Sequence, residues 1–210
     1  MIWLKYVIVA AVAYLLGNIS TGVIVSRAFS HTDIRKHGSG NAGATNMLRT
    51  LGWAPSLMTL AGDALKAVAA ALIGRGIAGE MGTMIAGVCV ILGHNWPVLL
   101  NFKGGKGIAA SLGFIIVTDP IAALILFVQE IALIAVTRYV SVGSISSAIL
   151  YPVITIIRHW GNAPRIITSL ILGGLALFSH RANIVRLISG NENRLDFGKI
   201  KEISKKKGEK

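Results

Sequence analysis

The stretch GSGNAGATNMLR, residues 38–49, concentrates the polar chemistry of this chain. Gly38, Gly40 and Gly43 leave backbone N–H groups uncovered by bulky side chains. Successive N–H groups in such a turn form a concavity that favours anions. Ser39, Asn41, Thr45 and Asn46 add neutral polar groups, and Arg49 adds a planar charged fork suited to phosphate. A second loop, NFKGGKG at 101–107, sets Lys103 and Lys106 around Gly104 and Gly105 and ends on Gly107. Histidines stand beside the loops. His94 precedes the second, and His180 opens the segment HRANIVRLISGNE. If that segment is helical, His180, Asn183 and Arg186 recur at i, i+3 and i+6 and share a face. The chemistry on offer is phosphate binding, with histidine and asparagine to orient a reacting group.

Several familiar uses of such loops fail on context. Gly38, Gly40 and Gly43 satisfy G-x-G-x-x-G, and Asp63 even lies 20 residues beyond Gly43. No strand precedes the motif, no βαβ unit fits, and Asp63 falls in an apolar run, so dinucleotide binding is excluded. The second loop has Gly107 where a nucleotide P-loop needs its magnesium-binding hydroxyl, and its spacing is wrong for ATP. No H-x-x-x-H pair or carboxylate cluster accompanies His94 or His180, so no metal site is expected. The single cysteine, Cys89, sits in an apolar run and reads as a small packing residue. It allows neither a disulfide framework nor a thiolate cluster.

The elements that must position these loops are membrane spans. The chain has 210 residues, 53% hydrophobic and 14% charged, with mean hydropathy +0.66. Soluble domains carry about 25% charged residues. The balance predicts an all-α polytopic membrane protein, a single bundle at this length. The net charge of +12 fits anionic headgroups for the tail and an anionic substrate for the glycine loops. No soluble basic face remains for nucleic acid. The amino terminus does not read as a signal peptide, because its apolar run starts at once and continues too far.

About 20 residues cross the hydrocarbon core. Residues 2–25 read as the first span, with Asn18, Ser20 and Thr21 placed for hydrogen bonds between helices. Residues 51–73 form the second and carry Asp63 and Lys66. At i, i+3 these share a face and can pair. They serve either as a structural ion pair or to position Arg49 or a substrate. A glycine-rich turn at 74–82 leads to a third span, 84–100, which Pro97 is expected to kink. The run 108–137 is broken at Asp119-Pro120 into two short spans. Residues 142–157 and 166–179 supply two more. The lysine-rich end, 191–210, reads as a solvated, partly disordered tail. Two spans separate the first loop from the second, and four separate the second from the tail. All three basic segments then share one side, the cytoplasmic one by the positive-inside rule. Arg158 and Arg165 would lie outside, against that rule.

The segments SGNAGATNMLR, GHNWP followed by FKGGKG, and HRANIVRLISGNE together resemble the three signature regions of the bacterial acyl-phosphate:glycerol-3-phosphate acyltransferases. The resemblance covers nearly the whole chain and keeps the order of spans. It implies a bundle of about seven transmembrane helices with glycine-rich cytoplasmic loops, a domain over 1–190 and a basic tail over 191–210. It implies a multi-pass enzyme of the bacterial cytoplasmic (inner) membrane, its active site facing the cytoplasm. The implied reaction transfers a fatty acyl group from acyl phosphate to the 1-hydroxyl of sn-glycerol 3-phosphate. Lysophosphatidate and phosphate are the products, in the first step of phospholipid synthesis. Neither coenzyme A nor acyl carrier protein is the direct donor, and no cofactor or metal is expected.

By position, Ser39, Gly40, Asn41, Gly43, Thr45, Asn46 and Arg49 match the first region. His94, Lys103, Gly104, Gly105, Lys106 and Gly107 match the second, and His180, Asn183, Arg186 and Glu192 the third. Ser39, Asn41, Lys106, His180 and Asn183 are expected at the reacting groups, and the others around the substrates. The stretch SVGSISSA at 141–148 resembles a further family segment and adds Ser141 and Ser144 as secondary candidates. The H-x-x-x-x-D pattern of a different acyltransferase class is absent beside His94 and His180. From another class, an organophosphate transporter would use the same loops. It predicts broken helices meeting at mid-membrane and an internal repeat, and no repeat is evident.

Overall fold

The computed structural model describes residues 1–208, with side chains described through 205. Its elements are α1 (Ile2–Gly17), α2 (Thr21–Ser30), α3 (Ala44–Leu51), α4 (Trp53–Asn95), α5 (Ile108–Thr118), α6 (Pro120–Thr137), α7 (Val140–Arg158), α8 (Ala163–Ser179), α9 (Arg181–Ile188) and α10 (Phe197–Gly208). Among the described residues there is no strand. The chain is an all-helical membrane protein, as its composition requires.

The long helix α4 is a hairpin. Residues 66 and 94 would lie about 42 Å apart along a straight helix at 1.5 Å per residue. Lys66 Nζ instead lies 2.9 Å from His94 Nδ1. The reversal falls at Ala78–Gly79, where the backbone leaves helical geometry and Gly79 takes φ +64°. A Cβ on Gly74 or Gly82 would strike the other residue's carbonyl, so the two arms touch next to the turn. The glycine-rich connection expected at 74–82 therefore contracts to two residues. Pro97 does not kink a helix, because α4 has already ended at Asn95.

The core gathers where α1 and α5 pack on this hairpin. Val9, Ala13, Ala67, Ala70, Val90, Ile91 and Phe114 are buried together. Small residues permit the approach. A Cβ on Gly93 would meet the Tyr14 carbonyl, and one on Gly87 would meet the Phe114 ring. Such close backbone contact is how helices gain packing energy in lipid.

The first expected span is broken. Helix stops at Gly17 and restarts at Thr21. Lys66 Nζ donates to the carbonyls of Gly17 and Ile19 at 3.1 and 2.6 Å, satisfying groups that the break exposes. Asn18 accepts from Leu99 N–H, and Thr21 donates to Asp63. By contrast, Asp119-Pro120 separates α5 from α6 where expected. The Asp119 carboxylate caps Ala122 N–H, and Pro120 takes the first helical turn. By length and apolarity four helices suit a crossing, or five when the α8–α9 pair, bent by 57°, is one span. The 11-residue α5 is too short to cross unaided.

Arg158 and Arg165, anomalous by the charge rule, are both paired. Arg158 meets Asp119 at 2.8 Å and Arg165 meets Glu80 at 2.6 Å. The tail also differs from expectation. Leu195 and Ile200 are 4% and 2% exposed and pack with Leu48. Ser204 Oγ accepts from Trp53 N–H. Residues 191–205 thus fold back onto α3, and residues 209–210 lie outside the described residues.

If the Gly93 contact holds α1 to the hairpin, Gly93→Leu overpacks it and costs about 1–3 kcal/mol or more. The thermal midpoint in detergent should fall clearly. An unchanged midpoint would show that α1 does not depend on that approach.

Candidate active site

The first loop is built around Asn46. Its Oδ1 accepts from Ser39 N–H at 2.9 Å, and its Nδ2 reaches the carbonyls of His37, Asn41 and Ile34. Asn46 is 2% exposed and its amide is spent within the loop. It shapes the cradle and presents nothing to a ligand. Gly38 takes φ +58°, and a Cβ there would collide with Asn46 Oδ1. Asn41 Oδ1 accepts from Gly43 N–H at 2.9 Å and sets the turn into α3. Gly40 N–H donates to His37 O. The N–H groups of Ser39, Gly40 and Gly43 are therefore already used, contrary to the simple picture of an open glycine nest. The N–H groups of Asn41, Ala42, Ala44 and Thr45 have no protein acceptor among the described residues. They cluster at the start of α3, where helix geometry favours an anion.

The second loop is pinned to the end of α4. Gly104 and Gly105 N–H donate to Asn95 O and His94 O at 3.3 and 3.0 Å. Only glycine fits, since a Cβ on Gly104 would meet His94 O and one on Gly105 the His94 ring. Arg35 Nη1 bonds Leu100 O, and Asn41 Nδ2 lies 3.5 Å from Gly104 O, so the two loops touch. Gly107, at φ +86°, turns the chain into α5.

The third region closes on Lys106. Its ammonium donates to Asn183 Oδ1. Asn183 Nδ2 donates to Glu192 Oε1 at 2.8 Å, Arg186 Nε to Glu192 Oε2 at 2.7 Å, and Ser141 Oγ to Glu192 Oε1 at 3.1 Å. Arg49 Nη2 donates to Asn193 O at 2.9 Å, while its buried Nε has no protein partner. His180 sits in the bend between α8 and α9. Its Nδ1 lies 2.8 Å from Ala176 O. A carbonyl only accepts, so Nδ1 carries the proton and Nε2 keeps its lone pair.

Electrostatics follow from this crowding. Burial pushes the Lys106 ammonium down to about 8, helped by Arg186 and Arg49 and opposed by Glu192. Burial alone would raise the Glu192 carboxyl, but bonds from Asn183 and Arg186, the Arg186 charge and Ser141 hold it below the usual range. Arg49 is lowered by burial. One carboxylate thus faces three cations, and the excess positive charge is suited to phosphate. Among the described residues no group of three or more His, Cys, Asp or Glu is placed to hold a metal ion.

The structure brings Ser39, Asn41, Arg49, Lys106, Asn183, Arg186 and Glu192 into loops that touch one another. It does not place all candidates alike. Ser144 turns away to Glu130, at 2.9 Å. His94 is held beneath Gly105 by Lys66 and Asp63. Glu192 spends both oxygens on Ser141, Asn183 and Arg186. Two participants escaped the sequence. Asn193 acts through its backbone, which leaves no side-chain signal. Asn95 ties the second loop to Ser179 at 3.0 Å, and only its place in GHNWP pointed to it.

The family model for glycerol-3-phosphate acyltransferase matches residues 7–190. A relative of that name from Thermoanaerobacter sp. (strain X514) is 46% identical over 189 residues, 90% of this chain and 95% of its own. One from Clostridioides difficile (strain 630) is 45% identical over 197 residues, 91% of this chain and 96% of its own. The crystal structure of PlsY, an integral membrane glycerol 3-phosphate acyltransferase, in its glycerol 3-phosphate form, superposes with TM-score 0.85. It is 33% identical, over 91% of this chain and 96% of that one. The lysophosphatidic acid form gives 0.84 at 31% identity, over 93% and 97%.

Glu192→Ala strands Arg186 and frees Asn183. Glu192 is buried but 38% of the Arg186 side chain is exposed, so losing the acceptor costs about 2–3 kcal/mol, or about 4 °C or more for a chain of this size. A detergent melt within about 2 °C of the parent would show that the carboxylate does not organise the site.

Proposed function

The chain belongs to the glycerol-3-phosphate acyltransferase family and is an integral membrane acyltransferase acting on glycerol 3-phosphate, and from that premise we propose that its donor is acyl phosphate. The products are then lysophosphatidate and inorganic phosphate. One observation carries the reading: where three loops touch, Arg186 pairs with Glu192, Lys106 bonds Asn183 and Arg49 bonds the Asn193 carbonyl, so three cations gather near one carboxylate. Two phosphorylated reactants need such a surplus of positive charge. The relatives' ligands, glycerol 3-phosphate and lysophosphatidic acid, fit the same demand. The transporter alternative lacks the internal repeat it predicts, and the relatives bear acyltransferase names instead.

Acyl phosphate is a mixed anhydride with a good leaving group, so no acyl-enzyme is required. The 1-hydroxyl oxygen attacks the acyl carbonyl carbon, a C–O ester bond forms, and the bond from that carbon to the phosphate oxygen breaks. The hydroxyl proton passes to the departing phosphate. Ser39, Asn41 and the free N–H groups entering α3 hold that phosphate, with Gly40 and Gly43 giving the turn its shape. Lys106 offsets its growing charge, and Lys103 adds a second cation from the same loop. Arg49 and Arg186 hold the glycerol phosphate, with Thr45, one turn before Arg49 on α3, as a further contact. The His180 Nε2 lone pair and Asn183 orient the hydroxyl. Glu192 and Asn46 act on their neighbours and leave the substrate to other groups. The acyl chain stays among apolar helix surfaces, avoiding about 0.8 kcal/mol per CH₂ of transfer into water.

Counting both arms of α4 and the short α5 as crossings supports seven spans. The basic loops then face the cytoplasm across the bacterial inner membrane. Residues 1–190 form the catalytic domain, and the basic extension 191–210 lends it Glu192 and the Asn193 carbonyl.

Purified protein in detergent, given synthetic acyl phosphate and sn-glycerol 3-phosphate alone, should release lysophosphatidate and phosphate. Product from acyl coenzyme A or acyl carrier protein but not from acyl phosphate would overturn the donor assignment. Lys106→Ala should lower kcat/KM about 10²–10³-fold. The wild-type profile should fall above about pH 8, where Lys106 loses its proton. Its unfolded-state value is about 10.4, so between the two values stability from this group rises with pH while phosphate binding weakens. Lys106→Arg should remove that alkaline limb, since arginine keeps its charge. A limb unmoved by the substitution would assign it elsewhere.

A further inference from the structure

Lys66 and Asp63 stand outside the loops, in the first arm of α4, yet both reach His94 at the end of the second. Lys66 Nζ lies 2.9 Å from His94 Nδ1 and 2.9 Å from Asp63 Oδ1. It also donates to Gly17 O and Ile19 O. Two of its protons go to those carbonyls and the third faces His94 Nδ1, with Asp63 as its ion-pair partner. An ammonium has no lone pair. The 2.9 Å contact is therefore a hydrogen bond only if His94 Nδ1 accepts. Asp63 Oδ1, at 3.4 Å from Nδ1, is farther and already receives Thr21 and Lys66. His94 is thereby held as the Nε2–H tautomer. That second nitrogen lies against Gly105, where any Cβ would overlap it, and it has no protein acceptor among the described residues.

We propose that Lys66, aided by Asp63, is a positioning residue that fixes His94 as an Nε2–H donor aimed into the glycine–lysine loop 101–107, where it receives a phosphoryl oxygen of substrate. The inference rests on the proposed function for the identity of that oxygen, and its tautomer arm stands without it. The geometry explains three otherwise separate facts. Gly105 must lack a side chain to leave the ring in contact with the loop. An ammonium is retained at membrane depth, where an unpaired charge is costly. The break between α1 and α2 delivers the two carbonyls that hold this ammonium in place. A neutral imidazole donor also adds no charge to a loop that already carries Lys103 and Lys106.

Lys66→Met is the direct test. Without the ammonium, Nδ1–H turns to Asp63, and Nε2 becomes an acceptor that repels a phosphoryl oxygen. The variant's KM for acyl phosphate should rise at least about tenfold, with kcat little changed. A KM within about threefold of wild type, or a loss of kcat with KM unchanged, overturns the proposal.

Nitrogen-15 spectra of histidine-labelled protein read the tautomer directly. His94 is identified as the signal lost in His94→Gln. Wild type should show Nε2–H, and a wild-type Nδ1–H overturns the proposal regardless of turnover. Should Lys66→Met not fold, His94→Gln keeps an amide donor and should retain KM within about threefold, while His94→Phe raises it at least about tenfold. Equal effects of the two overturn the assignment. Wild-type protein that shows Nε2–H but does not use acyl phosphate would leave the tautomer standing and remove the donor assignment.

Discussion

A backbone carbonyl released inside a bilayer has no water to turn to. It must find a donor within the protein, at a cost of several kcal/mol if it fails. This molecule interrupts its helices repeatedly, and buried side chains answer the interruptions. Lys66 takes the carbonyls freed between α1 and α2. Asn18 takes the Leu99 N–H, and Tyr14 donates to Trp96 O. His94 and Asn95 supply their own carbonyls to Gly105 and Gly104. Irregular backbone is tolerated at depth only where it is covered in this way, and here the covered irregular backbone is what forms the loops of the site.

Charge obeys the same rule with opposite outcomes at the two ends of the bundle. At one end, Arg158 and Arg165 are matched by Asp119 and Glu80. Their formal charge is cancelled, and the exception to the positive-inside pattern costs the topology little. At the other end, Arg186 pairs with Glu192, and the same carboxylate is the one that acts on Lys106 and Arg49. Positive charge is left over. A structural cluster balances itself, whereas a site for an anion keeps its surplus until the ligand arrives.

Glycine has two distinct uses among these helices. Gly38 and Gly107 adopt positive φ and turn the chain. Gly93, Gly104 and Gly105 are needed because something else occupies the space of their side chains. At Gly93 it is a backbone, and at Gly105 it is the ring of a histidine. The sequence shows only a glycine in each case, and the reason for each is visible only in three dimensions.

Composition and local pattern decided the class of this protein. A low charge fraction and long apolar runs leave a helical membrane bundle as the physically permitted form. The Asp119-Pro120 break was equally readable, because proline and a capping carboxylate act over a few residues. The polar segments 38–49 and 101–107 can be read as anion cradles from residue type, whereas 180–192 stands out through its resemblance to the family. What no local pattern carried was partnership across the fold. Asn46 reads as a ligand-facing amide, and the tertiary structure turns it inward to hold its own loop. The tail reads as solvated, yet Leu195 and Ile200 find a buried seat on Leu48. Asp63 and Lys66 read as a pair that is either structural or positions Arg49 or a substrate, and only the hairpin at Ala78–Gly79 brings His94 within reach of both. Hydrogen bonds between residues 28 or 144 positions apart depend on where the chain returns, and that is settled by packing of whole helices.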